Sequence, residues 1–445
     1  MTHTLIYPHT SRHDSAGHLE IGGCDVVELA DAFGTPLFVY DEQTLRDQCR
    51  AYIAAFAGHA GESRIVYASK AFSCRAMIEL VAQEGLALDV ASGGELAAAC
   101  AAAFPPADIF FHGNNKTAAE LELALDYGIG YVVVDSFSEI AALDAAAGRR
   151  GVVQQVLVRI TPGVTPATHA AVQTGQPDSK FGFGLTEGQA TEALALCLAA
   201  RHLEPVGVHA HIGSQIFDLS SYRRAVEILM GSLAEWRAGL SFDCRLFNLG
   251  GGLGIRYTAR DQPSSITELA TVAGDAVAGE AARHGLTPPT ILVEPGRSIA
   301  GKASVTLYRV GTIKQVPGGT TYVAVDGGMS DNIRPMLYGS RYEAMIGNRA
   351  DVPATFEATV VGKHCESGDV LVRDVRIAPP ELGDVLVTPG TGAYGYAMAN
   401  NYNGQPRPAV VMVAGGKARV IIARETWDDV LRLQRPLADA AVALD

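Results

Sequence analysis

The feature that most limits what this chain can become is a series of short apolar runs, rich in β-branched residues, that each stop on glycine or a polar side chain. Beginning at Arg64, eight follow in order: RIVYASK, LALDVASGGE, DIFFHGNNK, GYVVVDSFSE, VLVRITPG, GVHAHIGSQ, LFNLGGGLG and ILVEPGR. Between them stand segments with amphipathic helical spacing, such as RAMIELVAQEG and TAAELELALDYG, the second with Thr117 placed to cap and Gly128 to stop it. Buried parallel strands alternating with helices make an α/β fold, and eight such units predict a (β/α)8 TIM-like barrel of ~250 residues, here 37–300. An open doubly wound sheet is the alternative. The barrel is favoured because eight units close on themselves and because polar residues end nearly every strand: Lys70, Asp89, His112 with Asn114, Asp135, Arg159, His211, Gly250 to Gly252, and Glu294. In a barrel these ends meet at one mouth.

After Gly301 the texture changes to strand-like runs without intervening helices: SVTLYRVGTIKQV, TTYVAVDGG, ATFEATVVG, DVLVTPG, PAVVMV and KARVIIAR. They predict a mostly antiparallel β domain. Residues 1–36 are too few to fold alone and are expected to join it, giving a second domain of 1–36 and 301–445. A chain that is 48% hydrophobic and 19% charged can bury large cores. Its net charge of -13, with no lysine or arginine cluster, leaves no footprint for nucleic acid or an acidic membrane, so a small-molecule partner is expected. The seven cysteines are scattered, with no C-x-x-C pair, which argues against a disulfide framework or a structural zinc site. No basic n-region opens the sequence, and no apolar run reaches the ~18 residues of a membrane span. The expected location is the cytoplasm.

Lys70 ends an otherwise buried strand, a place where lysine needs a reason to be. Desolvated at the centre of a barrel, its amine would be free to form a Schiff base, with Asp89 from the next strand end orienting it. A plain salt bridge is the equal alternative on these two residues alone. The run Gly250, Gly251, Gly252 weighs for the first, since three residues without Cβ after the seventh strand let backbone N–H groups approach a phosphate. The cofactor that needs both an amine and a phosphate site is pyridoxal phosphate. His211 could then stack on its ring and Ser214 donate to its phosphate. His209 and His211 could instead be a metal pair, but metal-dependent barrel hydrolases place such a pair on the first strand, so no metal is expected. A carboxylate at Glu294 would keep the pyridine nitrogen protonated, which suits decarboxylation.

The motifs YASKA, DVASGGE, HIGSQ, NLGGGLG, EPGR, VDGGMSDNIRPMLY, GKHCESGD and PGTGAYGYAMANNYNG resemble, in order from about Pro36 to Trp427, those of the meso-diaminopimelate decarboxylase family, within the alanine racemase-like group of pyridoxal phosphate enzymes. Ser330 in GGMSD stands where asparagine is frequent. The resemblance implies that Lys70 carries the cofactor, His211 stacks on it and Glu294 contacts its nitrogen. It further implies that Ser214, Gly250 to Gly252, the backbone of Pro295, Gly296 and Arg297, and Tyr394 hold the phosphate. Arg297, Arg334 and Tyr338 would bind the unreactive substrate carboxylate. Cys365, as proton donor, and Glu366, as anchor for the distal ammonium, would come from the facing subunit of a homodimer. Two arginines suit a substrate with a second carboxylate, because a guanidinium forks onto a carboxylate and would be left unpaired by a diamine precursor. For Cys365, the polar HCESGD setting favours a loop tip over the buried position usual for a free cysteine. The alternatives are a decarboxylase of another basic amino acid or carboxylated polyamine, which would share the cofactor residues, and a pyridoxal phosphate-binding regulator without turnover. Thr174 to Gly184 reads equally as a lid or as an ordinary connection.

Overall fold

In a computed structural model of the chain, the described residues are 5–58, 62–164 and 179–437. They form two compact units, Thr44–Lys302 and Met1–Gln43 with Ala303–Asp445.

The first unit is a closed barrel of eight parallel strands: β1 (Ser63–Ala68), β2 (Ala87–Val90), β3 (Ile109–Phe111), β4 (Tyr131–Val134), β5 (Gln154–Thr161), β6 (Leu203–His209), β7 (Leu246–Asn248) and β8 (Thr290–Val293). Each pairs in parallel with the next, and β8 returns to β1 through Leu292 opposite Arg64. All eight coincide with the runs expected from the sequence. The helices between them obey their local signals. Ala118–Tyr127 starts at a reciprocal capping box between Thr117 and Glu120 and ends at Gly128 in the left-handed conformation.

Side-chain alternation along these strands places the site. Val66, Ala87, Phe110, Val133, Leu157, Val206 and Leu292, one from each of seven strands, form one buried cluster, and Leu246 of β7 packs against it. This layer fills the barrel as a core. Two residues further along a strand the side chain points the same way. The next layer is therefore Asp89, His112, Asp135, Arg159, Asn248 and Glu294, all of them buried. Strand β6 departs from this count. Its ladder with β5 slips by one residue between Pro205 and Gly207, so His209, three residues after Val206, takes the place that Val208 would otherwise hold. Gly207 permits the slip: a Cβ there would lie 1.9 Å from the Leu246 carbonyl oxygen.

In the second unit, Leu37–Asp41 runs between Ser304–Gln315, antiparallel, and Ala409–Ala414, parallel. The strand Leu37–Asp41, expected at the start of the barrel, thus lies inside the β sheet, and the compact units divide after Gln43 and not after Pro36. An extended run fully buried on both faces reads alike in either setting. Val370–Ile377, antiparallel to Phe356–Val361, was not among the expected strands, because Arg373, Asp374 and Arg376 interrupt its apolar pattern at the sheet edge. The pairing is mostly antiparallel, as expected. Ile6, Tyr7, Leu19, Ile21, Val26, Leu29 and Ala30 share a core with Leu37, Val39, Val305 and Val411, so the amino-terminal segment is an integral part of this unit. Among the described residues no helix is long and apolar enough to cross a membrane.

Candidate active site

Lys70 lies in a single helical turn, Ser69–Ala71, just beyond β1. Its Nζ is 3.4 Å from Oδ2 of Asp89. The lysine side chain keeps 41% of its surface exposed while Asp89 keeps 1%. Burial therefore does not strip water from this amine in the way the sequence led us to expect, and the orienting contact with Asp89 is what the fold supplies. The turn is fixed from behind by Glu95, which accepts from Ser69 Oγ at 2.8 Å and from the Ala91 N–H at 2.7 Å.

Glu294 follows β8, the strand that pairs with β1, and is 4% exposed. Asn248 Nδ2 donates to its Oε1 at 2.7 Å. His112 Nε2 lies 3.0 Å from the same oxygen, with its N–H angled away from a straight hydrogen bond. His209 Nε2 lies 3.2 Å from Oε2. Burial works to raise the pKa of Glu294, but the two histidines outweigh it and hold the carboxyl well below its usual range. His209 moves the other way. Burial lowers its pKa to about 4 against the pull of Glu294, so its ring is neutral at pH 7 and can donate through Nε2. His211 stays partly exposed at the mouth. Desolvation first, then the cations of Lys70 and Arg159, push it well below the usual histidine range, which leaves a neutral ring suited to stacking. Arg159 pairs with Asp135 at 3.3 Å, and Asp135 also accepts from the Gly182 N–H at 2.7 Å. That anchor fastens one end of the 174–184 segment, read from the sequence equally as a lid or an ordinary connection, whose first part, 174–178, lies outside the described residues.

The glycine run does two jobs. The Gly250 N–H donates to Asn248 Oδ1 at 2.9 Å and the Gly251 N–H to His211 Nδ1 at 3.1 Å. Those two donors are spent inside the protein, contrary to their expected place on a phosphate. Gly252 is the member of the run that fits an anion. At φ +119° a side chain there would be strained, and its Cβ would lie 2.4 Å from the Gly213 carbonyl oxygen. Beside it, Arg297 donates to Ser214 Oγ at 2.9 Å and also to the Tyr257 hydroxyl. A hydroxyl, a guanidinium and a bare backbone together make a corner for a phosphate. With the Lys70 amine and the held Glu294 carboxyl at the ends of β1 and β8 of the same barrel, the residues fit pyridoxal phosphate.

The second unit collects other expected residues. The Arg334 guanidinium lies over the rings of Tyr338 and Tyr394, 5.6 and 5.8 Å from their centres, and donates to Tyr342 and Ser340. Cys365 is exposed on a turn whose N–H is accepted by Asn403 at 3.0 Å, as the polar sequence around it predicted. Glu366 folds back onto the Gly368 N–H at 3.2 Å. Three residues of the Glu294 cage, His112, His209 and Asn248, were not assigned a role from sequence. The signal was there in His112 and Asn248, each two residues after a core position, but His209 needed the bulge to reveal its direction.

The sequence profile described as "Pyridoxal-dependent decarboxylase, pyridoxal binding domain" matches residues 42–301. Diaminopimelate decarboxylase of Bacillus subtilis is 50% identical over 427 residues, 96% of this chain and 97% of the relative. That of Mycobacterium tuberculosis is 45% identical over 439 residues, covering 96% and 97%. Among solved structures, diaminopimelate decarboxylase from M. jannaschii in complex with L-lysine superposes with a TM-score of 0.90 at 34% identity, over 96% of this chain and 98% of that one. A lysine/ornithine decarboxylase from Vibrio vulnificus, at 22% identity and a TM-score of 0.73 over 87% and 97%, shares the fold.

Proposed function

The chain belongs to the diaminopimelate decarboxylase family of pyridoxal-dependent decarboxylases, and from that membership we propose that it removes CO2 from meso-2,6-diaminopimelate to give L-lysine, the last step of lysine biosynthesis. The observation that carries this is the meeting, at the ends of the neighbouring strands β1 and β8, of the Lys70 amine beside Asp89 and a Glu294 carboxyl held by Asn248 and His209. When bound, pyridoxal phosphate supplies a ring that takes up the electron pair left by the departing carboxylate.

The protein's own tasks follow from its chemistry. Lys70 supplies the amine that joins the cofactor, and Asp89 orients it. Glu294 holds the proton on the ring nitrogen, without which the ring draws electrons poorly. The neutral His211 would stack on the ring of the bound cofactor. Ser214, Arg297 and the Gly252 N–H hold the phosphate, with Pro295, Gly296 and Tyr394 completing that end. Arg334 and Tyr338 take the carboxylate that does not react, with Arg297 the second guanidinium. Cys365 returns a proton to the α-carbon, and Glu366 binds the distal ammonium. The last two belong to a facing copy of the chain in a homodimer, which suits a cysteine displayed on an exposed turn.

The test is CO2 release from meso-, LL- and DD-diaminopimelate, ornithine, arginine and lysine. The expected result is turnover of the meso isomer alone. Preferential release from ornithine or arginine would move the chain to a different decarboxylase, and none from any of them would make it a cofactor-binding protein without turnover.

A further inference from the structure

Glu294 is held more thoroughly than an acid at a strand end requires. Side chains from the ends of three other strands meet it: Asn248 at the end of β7, His112 just after β3 and His209 at the end of β6. One of them arrives only because the β5–β6 ladder slips at Gly207. The arrangement also leaves buried polar atoms poorly matched. Nδ1 of His209 has no hydrogen-bond partner among the described residues, and the His112 N–H is off line. Such atoms cost about 1–3 kcal/mol each, which an apolar layer would avoid. A place where a ladder, a glycine and two imidazoles all give way to a single carboxylate is built for that carboxylate.

We infer that His112 and His209 are positioning residues that, with Asn248, fix the Glu294 carboxylate so that of its ~4 acceptor sites one is left for the ring nitrogen of pyridoxal phosphate. This rests on the reading of Glu294 as the partner of that nitrogen. The physics is substitution of solvent: the Asn248 and His209 hydrogen bonds, with the His112 imidazole 3.0 Å away, replace the water that a buried carboxylate has lost. Removing one lets burial dominate, and Glu294 takes a proton at neutral pH. It can then no longer keep the ring nitrogen charged. The other titratable or charged groups around it are Asp89, whose Oδ1 is 3.8 Å from His112, together with Arg159, His211 and Lys70.

The holoenzyme variants His209→Leu, His209→Gln, His112→Leu, His112→Gln and Glu294→Gln test this, because the Gln amide nitrogen can stand where Nε2 donates. Steady-state kinetics on meso-diaminopimelate would be followed from pH 6 to 9, alongside two readouts independent of turnover: cofactor affinity by fluorescence quenching, and the pH dependence of the bound cofactor's visible absorbance. The Leu variants are expected to lose roughly tenfold or more in kcat at pH 7 with KM changed less than about twofold, as for residues that orient a reacting group. Their loss shrinks as pH rises and Glu294 ionises again, the absorbance follows the same curve, and the Gln variants recover most of it. Leu variants that match the parent overturn the inference, as does a loss uniform in pH that Gln does not repair. So does a metal ion at one per chain in the active holoenzyme, since His112, His209 and Glu294 offer ligand atoms within 4.8 Å of one another and a metal would take the same lone pairs. If His209→Leu does not fold, His112→Leu and Asn248→Leu decide by the same readouts. A Glu294→Gln variant with unchanged kcat and absorbance would instead refute the role of Glu294 itself.

Discussion

A primary amine beside Asp89 has two courses open to it: to remain an ammonium in an ion pair, or to give up its proton and form a covalent bond. Replacing Lys70 with alanine separates them. If the bond is its task, the variant loses the visible absorbance of bound cofactor and its turnover falls by ~10³-fold or more, in the range of a lost acid–base group. Cys365→Ala is expected to keep the absorbance and to slow turnover by about 10²–10⁴-fold, because it removes a proton donor and leaves the cofactor's attachments alone. Spectra and single-turnover rates on the two variants check both. At this scale the sequence was informative about residues whose chemistry is unusual for their place. A lysine ending an apolar strand, a glutamate in EPGR and a cysteine in a polar turn announce themselves. It was misleading where the decisive fact is a neighbour. Lys70 keeps 41% of its side chain exposed although it ends an apolar strand, and the N–H groups of Gly250 and Gly251 are taken by Asn248, two residues earlier, and by His211 of the neighbouring strand end.

Strands and turns impose stricter limits than single side chains, and β6 shows it. Its slip at Gly207 depends on an approach that leaves no room for a methyl group. Gly207→Ala must push β6 away from β7 or undo the bulge, and either outcome misplaces His209. The expected result is a loss of about 1–3 kcal/mol in stability, the usual cost of overpacking, together with weaker cofactor binding. Denaturation and fluorescence titration measure the two. Thr117→Ala is the contrasting case: its capping box lies at the start of the outer helix Ala118–Tyr127, so about 1 kcal/mol of stability should go while kcat is unchanged. The eight barrel strands were legible because buried parallel strands are short apolar runs with glycine or polar stops. A bulge leaves no such mark. Gly207 in PVGVHAH reads as an ordinary strand glycine until the slipped register is seen.

For the molecule as a whole, the chain begins in one unit, builds the barrel, and returns to finish the first. Leu37–Asp41 is flanked by partners on both sides, so a chain beginning at residue 44 would leave the β unit without a central strand. Such a truncation is expected to be insoluble, as an expression trial would show. Acid should weaken the intact fold. The unfolded histidine titrates near ~6.5, whereas His209 does so at about 4 in the folded chain. Between those values the unfolded state binds the extra proton, so stability falls as pH drops from ~6.5 towards ~4, by up to about 3 kcal/mol for this residue. Glu294, held below its usual range, adds a loss of the same sign at lower pH. Denaturant midpoints against pH, with His209→Gln showing the shallower slope, would record it. Mixing Lys70→Ala with Cys365→Ala chains should restore activity that neither has alone if each site draws on two copies. The most direct measurement is covalent. Holoenzyme reduced with borohydride and digested should carry the pyridoxyl group on the peptide containing Lys70; a label on another lysine, or none, would contradict the account.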